Sequence, residues 1–202
     1  MSGGFSGGTE RFCARCSRVW HVIEAEGESL ARAIGLRSAR CLRALAGRVP
    51  SALNRDGFER LALHGGTAIL RFQQMQDARL APTLHGRYAG RPDLWRAMID
   101  SHVFFWADEK RLASFLKATR RERQRAEFGA PDPLVLPFDT ARLLAIHGSS
   151  ARYTVVNSGS TVGRGRARRD EQTFRPVASY LRGPVAELAI PGTVRMAEGL
   201  IA

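Results

Sequence analysis

At 202 residues the chain has the length of one domain, and a chain near this size hides roughly 70% of its unfolded surface, enough for a sizeable core. Hydrophobic residues at 44% and charged residues at 25% are ordinary globular proportions, and no run of about 18 apolar residues exists, which excludes a transmembrane helix. The net charge is +12, and all basic residues except Lys110 and Lys117 are arginine; this fits either a polyanionic partner such as nucleic acid or a composition bias toward arginine, and leaves the choice open.

Residues 1–18 read as a flexible tail, because Gly and Ser dominate its start and no apolar period follows. It lacks a basic start followed by an apolar stretch, which argues against a secretory leader. Cys13, Cys16 and Cys41 are too few for a disulfide framework, so the expected compartment is a reducing cytoplasm. Residues 19–202 read as a single domain. Val19-Trp20-His21-Val22-Ile23 is a β-prone run. Glu24 to Gly35 reads as a helix closed by its glycine, and a second short helix follows with Ser38 as N-cap. Ala68 to Phe72 is a candidate strand, and 76–92 a loop. A helix starts near Pro92, followed by the strand Val103-Phe104-Phe105-Trp106. Asp108 caps a helix over Glu109–Arg120.

Leu134 to Phe138 is a strand that Pro137 assigns to an edge position or a strand end. A helix capped by Asp139 or Thr140 comes next, then a strand over Arg152–Val156. Residues 157–172 are Gly-, Ser- and Arg-rich, hence a loop. Two further β-prone runs cover Thr173–Val177 and Pro184–Ile190. Strands and helices in this order make an α+β domain rather than a regular βαβ one. No G-x-G-x-x-G follows a strand, and Gly159 to Gly165 lacks the Lys-Ser/Thr of a P-loop.

Several residues bear on chemistry. Cys13-Ala-Arg-Cys16 has metal spacing, but a structural zinc site needs a second ligand pair that the chain lacks. Glu187 lies in an apolar strand with Val185 and Ala189 as same-face neighbours. It either points outward from a strand with one solvent face, in alternation with Ala186 and Leu188, or is a site candidate, because a carboxylate in an apolar surround costs free energy unless it has partners. His21 reads as a hydrogen-bonded, half-buried strand residue or as a site group. Arg71 is a cation between Leu70 and Phe72, on an edge or in a site. Asn157-Ser158-Gly159-Ser160-Thr161 is an ordinary turn or, with its small donors and exposed backbone N–H groups, a phosphate cradle. Phe104-Phe105-Trp106 fits a core or a stacking surface.

Together these blocks resemble an uncharacterised bacterial family of unknown function. They are Trp20-His21-Val22, Gly35-Leu36-Arg37-Ser38, Ile69-Leu70-Arg71-Phe72-Gln73, Val103-Phe104-Phe105-Trp106, Val156 to Thr161, Thr173-Phe174-Arg175-Pro176 and Pro184-Val185-Ala186-Glu187-Leu188. The likeness covers residues 19–202. The family is in turn similar to the ADP-ribosyltransferase fold, nearest to DNA-targeting ADP-ribosyltransferase toxins and RNA 2′-phosphotransferases. Those proteins begin with a histidine-bearing strand and a helix ending in G-L-x-S. The toxins finish with a glutamate in an apolar strand, a form that Ala186-Glu187-Leu188-Ala189 fits.

The resemblance implies split antiparallel sheets with flanking helices and a cleft for NAD, used as a substrate. It implies Glu187 as catalytic carboxylate, with His21 on the ribose or adenosine side. Asn157, Ser158 and Thr161 would border the nicotinamide ribose or the diphosphate. Arg175, and more weakly Arg71, would pair with a phosphate. It further implies a cytoplasmic bacterial enzyme that acts on nucleic acid, with an antitoxin or other neutralising partner and no membrane association. The basic Arg164–Arg169 stretch would face that nucleic acid. The sequence departs from the family pattern where Arg71-Phe72-Gln73-Gln74 lacks the pattern's acidic residue, and where His102 and Gln172 replace an arginine and an aspartate. Two alternatives remain open at this stage: a non-enzymatic arginine-rich nucleic-acid-binding module, and an RNA 2′-phosphotransferase-like enzyme.

Overall fold

The computed structural model describes residues 5–48, 58–71, 76–125, 129, 131–160 and 167–196. A six-stranded antiparallel sheet organises the chain. Its strands are β1 (Arg18–Ile23), β5 (His102–Trp106), β6 (Leu134–Asp139), β7 (Arg152–Thr154), β8 (Arg175–Pro176) and β9 (Glu187–Pro191), in the order β6-β1-β5-β9-β7-β8. A hairpin of β3 (Phe58–Leu63) and β4 (Gly66–Arg71) stands apart, as does the short pair β2 (Leu36–Arg37) and β10 (Thr193–Val194). The α+β expectation holds. Pro137 does lie on an edge strand, where its missing N–H costs no ladder bond.

Seven α-helices among the described residues flank these sheets: α1 (Gly7–Arg15), α2 (Glu28–Ile34), α3 (Ala39–Leu45), α4 (Asp77–Leu80), α5 (Pro92–Asp100), α6 (Glu109–Arg125) and α7 (Thr140–His147). The expected caps are in place. Ser38 accepts from the Cys41 N–H, Asp108 from the Arg111 N–H and Asp139 from the Arg142 N–H. Gly35 closes α2 at φ 81°, and a Cβ there would stand 2.6 Å from the Val194 carbonyl oxygen, so only glycine lets β10 approach.

Strand alternation divides the sheet into two faces. Val103 and Phe105 of β5 join Val19, Phe138, Leu188 and Ile190 in the main core, which Phe12 of α1 and Leu143 and Leu144 of α7 complete. Phe104 faces the other way, into a second cluster with Trp95 and Phe174. A third cluster packs Leu30 of α2 against Leu61, Ala68 and Leu70 of the hairpin.

The N-terminal expectation needs correction. Residues 7–15 form helix α1 rather than a flexible tail. Phe12 is fully buried, with its ring 5.4 Å from Tyr180 and 6.0 Å from Tyr153. Gly8 makes the docking possible: a Cβ there would meet the Ala178 carbonyl oxygen at 1.9 Å. Strand β3 was not anticipated either, and the expected loop over 76–92 holds α4 and two 3-10 turns.

Candidate functional site

The site begins where the sheet comes apart. Strand β1 pairs with β6 along its whole length, but with β5 only at Trp20↔Trp106. One residue on, a side chain takes over from the ladder: His21 Nδ1 donates to the Phe104 carbonyl oxygen at 2.7 Å. By alternation His21 belongs to the face of Val19 and of its register partner Leu136, both core residues. Glu187 belongs to the opposite face, because it sits in register with Trp106. The early end of the β1–β5 ladder lets a single cavity reach both. That cavity holds about 720 Å³ and is lined by the end of β1, α2, β4, β5, one face of α6, the loop after β7, and Glu187. Its size is typical of small-molecule sites.

Glu187 opens strand β9 and is 4% exposed. Its Oε2 accepts from the Ser158 N–H at 3.1 Å and the Ser158 hydroxyl at 2.7 Å. Among the described residues, Oε1 accepts no hydrogen bond and no cation lies within ion-pair distance. Burial therefore pushes the carboxyl up to about 7, against the opposing pull of Ser158 and the more distant Arg111 and Arg169. Such a group holds or releases a proton near neutrality.

His21 is set to stay neutral. Burial lowers its ring to about 4, opposed by the Phe104 carbonyl. Because Nδ1 donates to that carbonyl, Nε2 is left as an acceptor. Trp106 and Phe115 add aromatic surface, with ring centroids 5.0 Å apart.

The charges along the cavity differ in how they are matched. Glu24 is ion-paired with the buried Arg123. Arg71 lies over the Phe115 ring at 4.3 Å and donates through Nε to Glu122 Oε2 at 3.1 Å. Arg79 and Arg111 have no carboxylate partner among the described residues, so the cavity offers them to an anion.

Of the residues singled out in the sequence, His21, Arg71, Asn157 and Glu187 line this one cavity. Ser158 is buried behind Glu187 and holds it rather than facing the space. Thr161 lies outside the described residues. Arg175 is on the exposed edge strand β8, donates to the Gln172 carbonyl and does not line the cavity. The expectation for the basic stretch also needs correction. Arg164 and Arg166 lie outside the described residues; Arg168 is exposed and paired with Asp170; Arg169 is buried and turned inward. The sequence reading missed Arg79 and Arg111, and took Arg169 for part of an outward-facing stretch. Arg111 had a signal, since it recurs with Ser114, Phe115, Ala118 and Glu122 on one helical face. Cys13 and Cys16 are free thiols raised by burial, Cys16 to about 11, so neither is a ready nucleophile. No group of three or more metal-ligating side chains occurs among the described residues, and no helix there is long and apolar enough to cross a membrane.

The wall is mostly apolar, with Glu187, His21, Arg79 and Arg111 among its polar groups, so the arrangement can hold a ligand that has flat ring surface, an anionic part and hydroxyl donors, with a carboxylate beside it. No curated protein and no solved structure matches the chain. One family model does, over residues 17–198, a range that contains all seven sequence blocks named above. The chain belongs to that family, a family of unknown function (DUF7002).

Proposed function

We propose that the chain is an NAD-dependent ADP-ribosyltransferase of ADP-ribosyltransferase-like fold, that Glu187 is its catalytic carboxylate, and that its acceptor is nucleic acid. The observation that carries this reading is Glu187 itself: buried, without a cation partner among the described residues, one oxygen held by Ser158 and the other left uncommitted by them, beside a cavity of about 720 Å³. A carboxylate so placed is costly to keep for structure alone. The opening between β1 and β5, and the histidine that bridges it, supports the resemblance to a split-sheet fold.

The chemistry follows from these groups. The bond between the nicotinamide nitrogen and ribose C1 breaks, and its electron pair leaves with neutral nicotinamide. Positive charge builds on C1 and the ring oxygen, as in glycoside cleavage. Ionised Glu187 stabilises that charge and accepts from the ribose 2′-hydroxyl or takes the proton of the attacking acceptor group. His21 Nε2 accepts from a hydroxyl of the dinucleotide. Arg79 and Arg111 meet the diphosphate, and Trp106 and Phe115 offer a stacking surface.

The test is nicotinamide release from NAD by the wild type and Glu187→Gln, each with and without DNA or RNA. Release by the wild type alone, raised by one nucleic acid, is the expected result and names the acceptor. No release under any condition, with nucleic acid still bound at low salt, replaces this reading with that of a binding module.

A further inference from the structure

The geometry points to Arg169 as the positioning residue of this site: it clamps the loop 157–160 from behind, so that Ser158 presents both of its donors to Glu187 Oε2. The inference rests on Glu187 being the working carboxylate of the proposed reaction. A guanidinium has five N–H donors, and Arg169 has five acceptors. Nε donates to the Ser158 carbonyl at 3.5 Å. Nη1 donates to Thr83 Oγ1 at 3.2 Å and the Ala167 carbonyl at 2.9 Å. Nη2 donates to the Asn157 carbonyl at 3.2 Å and to the Ser160 carbonyl. Three of these acceptors are backbone carbonyls of the one loop whose other side holds Glu187.

The clamp is itself fixed. Arg169 is 3% exposed. Its N–H donates to the Thr83 carbonyl at 2.8 Å, and its carbonyl accepts from the His85 N–H at 2.8 Å, in a bridge beside Leu84. Trp95 Nε1 adds a second donor to the Ser158 carbonyl at 3.3 Å. The loop has no strand or helix of its own. Its shape, and with it the aim of Ser158, is therefore set by side chains from outside. Glu187 in turn moderates the cost of burying the guanidinium. Lysine keeps the charge but has three donors on a flexible stem, so it cannot reach all five acceptors. Arg169→Lys thus separates the fork from the charge.

The experiment is a ¹³C NMR titration of Glu187 in the full chain, without NAD, for the wild type, Arg169→Lys, Ser158→Ala and the double variant. The Ser158 bonds favour ionised Glu187. Loosening them in Arg169→Lys is expected to raise the Glu187 midpoint by about half a unit or more, and the rise is smaller in the Ser158→Ala background, where one of the two bonds is already gone. An unchanged midpoint in folded Arg169→Lys, or an equal rise in both backgrounds, overturns the assignment. Where Arg169→Lys does not fold, Thr83→Val removes a single acceptor of the clamp; it is expected to raise the midpoint in the same direction, and no change overturns the assignment. The titration needs no turnover. An absence of nicotinamide release refutes the proposed reaction and leaves the titration standing, whereas intact release with an unmoved midpoint refutes the clamp alone.

Discussion

Glu24 and Glu187 are both buried carboxylates on the wall of one cavity, 8% and 4% exposed. They are built differently. Glu24 is answered by Arg123, itself buried and also anchored on the Pro131 carbonyl, so the charge is matched and spent on holding α6 against the end of β1. Among the described residues, Glu187 receives two bonds on one oxygen from the neutral donors of Ser158, and none from a guanidinium. The difference separates a carboxylate that serves the fold from one that the fold carries at a cost. A matched ion pair needs nothing more from solvent or ligand, whereas an unmatched buried carboxylate is left with capacity to act on something else.

Removing each carboxylate is the sharpest way to break this comparison. Glu24→Ala leaves the Arg123 guanidinium buried without its counter-charge and is expected to cost about 3–5 kcal/mol of stability in urea unfolding. Glu187→Gln is expected to act in the opposite direction above neutral pH. Folded Glu187 titrates at about 7 against an ordinary value of 4.5, so between these values the folded state holds a proton that the unfolded state has released. Stability therefore falls as pH rises from 4.5 through about 7, and the loss is complete above it. The glutamine variant escapes that loss, so it is expected to be more stable than wild type near pH 8 by about 1–3 kcal/mol, with the gap closing below about pH 5. A destabilised Glu187→Gln at both pH values makes Glu187 a second Glu24.

His21 gives the opposite slope. Its ring titrates at about 4 when folded against 6.5 ordinarily, so the unfolded state binds the extra proton in that window. Stability is lost as pH falls from 6.5 toward about 4, and the His21 and Glu187 slopes oppose each other where the windows overlap. Thermal denaturation across pH is expected to show a broad maximum there; in Glu187→Gln the decline on the alkaline side disappears. The smallest effects separate matched from unmatched arginines. Arg111→Ala or Arg79→Ala is expected to weaken NAD binding about tenfold each, while Arg168→Ala, exposed and paired with Asp170, leaves it unchanged in titration calorimetry.

The cavity's buried carboxylate and histidine could be read in the sequence, because the anomaly was local. A glutamate inside Val185–Ile190 and a histidine inside Val19–Ile23 each contradict their strand, and such contradictions gather at sites. The helix caps were legible for the same reason, since a cap is written within four residues. What escaped was non-local. Arg169 reads as one more cation in a charged run; its burial depends on Thr83 and on the loop 157–160, far apart in the chain. Helix α1 escaped because its stability comes from Phe12 and Gly8 meeting Tyr180 and Ala178, not from any apolar period of its own. Its one local sign was Ser6, whose hydroxyl accepts from the Thr9 N–H at 3.4 Å.

The most direct test is the rate of nicotinamide release from NAD as a function of pH, from about pH 5 to about pH 9, for the wild type beside Glu187→Gln. Ionised Glu187 must do the work, so the wild-type rate is expected to rise with a midpoint near 7, and the variant to fall by a factor of about 100–1,000 and lose the rise. A variant that keeps the wild-type rate and profile contradicts the account, because the carboxylate that the fold carries at a cost would then have no part in the chemistry.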